Sequence, residues 1–225
     1  MAPRVPSRLG GGVLDRPARP PRPAVAASAA IAAVTCYVLT TVIGAALTPG
    51  YSHLHDAVST LTSPGSPHRD LLALGYVAYN LAVALFALDL ARLPGAGVTL
   101  RVAAGLTVVG SASGIAQVTA FPQDDPGTPI TGAGAAHIGL ASLSALITVV
   151  VALLTARGLG RLPGGRAWSR FSLGCAVAIL TTGAVAGIAV HTSWMGAAER
   201  LPIGAFLVWL AGLAAALLGG DLGRA

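Results

Sequence analysis

Six long apolar runs, separated by short polar segments, set the pattern of this chain. They cover residues 24–47, 71–91, 102–120, 134–156, 171–190 and 201–218. A helix of about 20 residues crosses a hydrocarbon core of about 30 Å, and each run is close to that length. The runs are continuous, without the apolar–polar alternation of barrel strands. The pattern therefore predicts an all-α fold, a polytopic transmembrane bundle of six helices forming one domain over residues 24–219. An even number of spans puts both termini on one side.

The flanks read differently. Residues 1–23 hold five arginines and six prolines, and such a segment cannot bury a core, so it is expected to be a disordered tail. The first run is longer than the 7 to 15 or so apolar residues of a secretory signal, so it is expected to be an uncleaved span. Residues 220–225 form a second short tail.

Composition agrees with this reading. The 225 residues are 54% hydrophobic and 10% charged, against about a quarter charged in soluble domains. Mean hydropathy is +0.75. The net charge of +6 rests on 14 arginines and no lysine. These arginines act as topology signals, and no nucleic-acid partner is expected. Arg4, Arg8, Arg16, Arg19 and Arg22 precede the first span, and Arg92 and Arg101 lie between the second and third. Arg157, Arg161, Arg166 and Arg170 lie between the fourth and fifth, and Arg224 follows the last. Only Arg69 and Arg200 fall on the other side. The positive-inside rule then predicts an N-in/C-in protein of the plasma membrane, both termini cytoplasmic, with the lipid bilayer as its surroundings.

Some polar and small residues have structural readings. Asp89 stands three residues before Arg92, the spacing of a helical ion pair. Asn80, mid-span, is expected to bond to a neighbouring helix. Cys36 and Cys175 sit at different depths and are expected to be free thiols. Gly110/Gly114 and Gly183/Gly187 have the small-xxx-small spacing of helix packing, within the bundle or in a homo-oligomer. Arg-Leu-Pro-Gly occurs at 92–95 and again at 161–164, each time after an even-numbered span.

The candidate chemistry gathers on the side opposite most arginines. The segment between the first two spans holds His53, His55, Asp56, His68 and Asp70, and that between the third and fourth holds Asp124 and Asp125. His137 is expected about one turn inside the fourth helix, His191 at the end of the fifth, and Glu199 just before the sixth. Imidazole and carboxylate from several helix ends suit zinc, so His53, His55, Asp124, His137 and His191 are the candidate metal ligands. No His-Glu-x-x-His or Cys-x-x-Cys motif is present. The same residues also suit solvated loops and helix ends: Asp56 or Ser52 could cap a short helix over 57–61, and Asp124-Asp125 before Pro126-Gly127 reads as a turn. Ser59 would be a nucleophile only with a histidine in hydrogen-bond reach.

Three pieces carry a resemblance. They are Val58-Ser59-Thr60-Leu61 with Ser63-Pro64-Gly65-Ser66-Pro67, then Phe121-Pro122-Gln123-Asp124, then Gly134-Ala135-Ala136-His137. In order and placement between spans they resemble the domain of unknown function 998 family of six-span bacterial and archaeal membrane proteins. That family tends to carry Ser-Glu-Leu where this chain has Ser59-Thr60-Leu61. The resemblance implies a fold and a membrane location and no activity. It shifts the weight among candidate catalytic residues to Ser59, Asp124 and His137. Three function classes remain open: a structural or envelope-associated membrane protein, a metal-dependent membrane-embedded hydrolase, and a small transporter.

Overall fold

The computed structural model describes residues 22–222. The N-terminal tail expected to be disordered, and Arg224, lie largely or wholly outside the described residues. Six helices follow one another: α1 (Arg22–Leu47), α2 (Arg69–Leu90), α3 (Val98–Thr119), α4 (Gly132–Leu159), α5 (Arg166–Ala189) and α6 (Met195–Gly219). A five-residue 3-10 helix, Val58–Thr62, lies between α1 and α2. No strand occurs among the described residues. All six helices are long and apolar enough to cross a membrane. Their outer faces carry bare aliphatic side chains, among them Ile188 at 81% exposure and Leu74 at 67%, which only a lipid surround makes tolerable.

The helices form a closed ring in chain order. Each packs against its sequence neighbours, and α6 returns to α1. Short connections make this antiparallel arrangement the natural one. Where α2 meets α3 and α4 meets α5, the ring is filled by Phe86, Trp209, Leu100, Leu159, Leu210 and Leu213. Trp209 donates to the Ser172 hydroxyl at 3.0 Å, so its buried indole N–H is satisfied. Both Arg-Leu-Pro-Gly fragments close this end. Leu93 and Leu162 enter the same core, while Gly95 and Gly164 turn the chain at φ 79° and 72°. Nearby, Asp89 and Arg92 form the expected ion pair at 3.1 Å.

Two details differ from expectation. Asn80 bonds within its own helix, to the Tyr76 carbonyl at 2.8 Å, because glycine at 114 lets α3 close over its amide. α6 starts at Met195, well before its apolar run, with Pro202 inside the helix. Glu199 and Arg200 therefore sit on the first turns of α6 and not in a loop. Cys36 and Cys175 are free thiols, as expected.

Candidate functional site

The other end of the ring is covered by the α1–α2 connection. The 3-10 helix is its centre: Leu61 is fully buried, packed toward Gly44 and Leu72, and Pro64 stops it. Its first residues are not capped from within. Asp56 turns back to accept from the Ser52 N–H at 2.7 Å, which leaves the helix start to a distant partner. Glu199 supplies it, accepting the Val58 N–H at 2.7 Å.

The first turns of α6 clamp this lid in several further places. The Ala197 N–H donates to the Leu54 carbonyl at 3.1 Å, and Arg200 donates to the Asp56 carbonyl at 3.0 Å and the Gly196 carbonyl at 2.7 Å. Its second amino group donates to the Tyr51 hydroxyl. Burial holds the Tyr51 phenol above its ordinary value, against the pull of Arg200. Gly196 is glycine for a steric reason: a Cβ there would run into the Asp56 backbone. His55 bonds through Nδ1 to the Ser193 carbonyl.

The α3–α4 connection holds the lid from the opposite side. The Ser59 hydroxyl donates to the Gln123 side-chain carbonyl, and the Gly65 N–H donates to Asp125 at 2.8 Å. Asp124 accepts from the Thr131 hydroxyl at 2.7 Å and from the Thr131 N–H at 2.9 Å. These two bonds hold its carboxyl below the usual aspartate range. Thr131 in turn caps α4, accepting the Gly134 N–H at 3.1 Å. His137, buried in the second turn of α4, ties Nδ1 to the Phe121 carbonyl at 2.9 Å. A carbonyl only accepts, so Nδ1 carries the proton and, in the neutral ring, Nε2 is the acceptor.

Beneath the lid lies a cavity of about 570 Å³, within the range of small-molecule sites. At 1.5 Å per residue, the lining from Met195 to Phe206 on α6 gives it a depth of about 16 Å. Its floor is mainly apolar, with Val83, Val151, Ile179 and Phe206, and the Thr107 and Thr148 hydroxyls there turn to carbonyls of their own helices. Its lid end is polar, with Ser59, Gln117, Gln123, His137 and Glu199. Gln117 donates to Ser144 at 3.3 Å, and Ser144 donates to Ser113 at 2.9 Å, which joins α3 to α4 along the wall. On α4 and just past α5 the lining residues Ile138 and Val190 are 55% and 48% exposed. Gly183 and Gly187 face open space there.

The sequence candidates divide accordingly. Ser59 and His137 line the cavity, and Asp124 stands behind His137 as the brace of the α4 start. His53, His55 and His191 lie exposed on the rim. His53 rests edge-on against Tyr51 at 5.6 Å. Among the described residues no group of three or more His, Cys, Asp or Glu side chains is placed to hold a metal ion. The Ser59 hydroxyl faces an amide, which is no general base. Sequence reasoning undervalued Glu199, the chain's sole glutamate, whose position at the edge of an apolar run was the available signal.

The three motif pieces quoted above meet here in one bonded unit: Ser59 on Gln123, Asp124 against Gly134, and His137 on Phe121. The family model described as Protein of unknown function (DUF998) matches residues 30–216, most of the chain, and the chain belongs to that family. No curated protein and no solved structure matches the chain.

Proposed function

We propose that this DUF998 protein binds a lipid-like amphiphile in the cavity beneath its lid. The observation that carries this reading is the polarity gradient of the cavity. A floor of Val83, Val151, Ile179 and Phe206 suits a hydrocarbon tail, and the ring of amides, hydroxyl, imidazole and carboxylate at the lid suits a polar head. Access runs from the bilayer between α4 and α5, where Gly183 and Gly187 leave room and Ile138 and Val190 are exposed. The arginine distribution supports a plasma-membrane protein with both termini cytoplasmic and the lid outward. The role is then one of holding or sensing an envelope lipid at the outer leaflet. Passage through the protein would require the core around Trp209 and Phe86 to part, which disfavours a channel-like path.

The test is lipid analysis of purified protein. An amphiphile enriched over bulk lipid is expected in the wild type and is expected to be lost in Gly187→Trp, which places a ring where the structure has open space. The thermal midpoint should stay close to that of the wild type. Bulk lipid in unchanged proportions in both proteins would sink the reading. Stoichiometric zinc, lost on His137→Ala, would replace it with the metal-dependent hydrolase.

A further inference from the structure

Resting on that reading, we infer that the cavity selects amphiphiles whose head group donates hydrogen bonds and carries no negative charge, and that Glu199 enforces the choice. The charge inventory of the lining is one-sided. It contains one carboxylate, Glu199, and no arginine among the described residues. The chain has no lysine to add. Arg200 is the nearest cation in sequence, but its two terminal amino groups are engaged on the lid, donating to the Asp56 and Gly196 carbonyls and to Tyr51, and it does not line the cavity. An anionic head entering the lid end would therefore meet a carboxylate with no cation to pair with. Such like-charge juxtaposition is among the strongest means of rejecting a ligand in a poorly solvated site.

The hydrogen bonding of the carboxylate and the imidazole points the same way. Among the described residues Glu199 accepts one bond from the protein, the Val58 N–H on Oε2, while a carboxylate can accept about four. His137 has Nδ1 committed to Phe121, which leaves Nε2 as its one uncommitted ring nitrogen. Both residues line the lid end, from α6 and α4, which are not neighbours in the ring. Two free acceptors on walls separated by α5 suit a head that donates, such as a hydroxyl pair or an amine. A carboxylate or phosphate head would leave both unmet.

The experiment compares three probes with one chain length: monooleoylglycerol, oleylamine and oleate, titrated into the full-length protein in nanodiscs of neutral lipid. The glyceride and the amine should bind, and oleate should bind at least about tenfold more weakly, a gap of one decade in Kd. Glu199→Gln keeps an acceptor for the Val58 N–H, so the lid should stay in place. The glyceride then loses a charged acceptor and oleate loses its repulsion, so the gap between the two should shrink to within about threefold. Oleate binding as tightly as the glyceride, or an unchanged ranking in Glu199→Gln, overturns the inference and leaves the binding reading intact. Failure of all three probes on the wild type, with Gly187→Trp indistinguishable from it, overturns the binding reading itself.

Discussion

The two halves of the ring are made by the same six helices and differ in what stands on their inner faces. Away from the lid, large side chains meet: Trp209, Phe86 and Leu213 are each at or below 2% exposure. Beneath the lid, Gly183, Gly187, Ala141 and Ala145 face inward, and they are too small to meet across the gap. Lipid tails are as apolar as leucine, so no hydrophobic pressure collapses such a space as water would drive a soluble core to close. The gap persists because the packed half fixes the helix spacing and the lid is pinned from both sides. Glycine shows the contrast most sharply. In the packed half a Cβ on Gly158 would collide with Leu100, while on Gly183 it would meet nothing.

The largest expected effect comes from emptying the packed half. Trp209→Ala removes a buried ring and strands Ser172, and water-soluble cores set the scale at about 3–5 kcal/mol. That figure is an upper bound here, since lipid replaces water around the unpacked helix. A fall in thermal midpoint, far larger than for Gly187→Trp, is the expected readout. Equal losses in both variants would erase the distinction between the halves.

A smaller effect, of opposite sign in the two halves, is expected from adding one methyl. Gly158→Ala forces Leu100 aside, at a cost of about 1–3 kcal/mol. Gly183→Ala has room and gains helix propensity, so a neutral or slightly stabilising change of up to about 1 kcal/mol is expected. Chemical denaturation of the two variants in the same detergent distinguishes them. A destabilised Gly183→Ala would mean that the cavity wall is tighter than drawn.

The smallest effect concerns the lid's far support. Bonds from Thr131 hold Asp124 below the ordinary value of about 3.9. A folded value lower than the unfolded one gives a contribution fully present above about pH 4 and lost as pH falls through the folded value. The difference in thermal midpoint between wild type and Asp124→Asn should therefore shrink on acidification below that point. A difference independent of pH would show that the Asp124 charge contributes nothing to the α4 start.

Much of this molecule was legible locally. The six spans follow from length and continuous apolarity. The Asp89–Arg92 pair follows from helical spacing, and both Arg-Leu-Pro-Gly turns from a glycine that must take positive φ. Thr131 before Gly132 is an ordinary cap signal. The dense run of histidines and acids was visible too, and it lies at the lid end of the bundle. The imidazoles, alike in sequence, go to separate carbonyls, His55 to Ser193 and His137 to Phe121, which no local pattern announces.

What composition and periodicity determined is a membrane bundle with one polar end. What only the tertiary structure decided is that this end is a lid over a hollow. The reason is separation along the chain. The carboxylate that caps Val58 stands 141 residues away, the amide that receives Ser59 stands 64 away, and the space between them belongs to six helices at once. No local pattern encodes a void. It arises only when side chains, each acceptable on its own helix, fail to reach one another across a ring whose radius is set elsewhere.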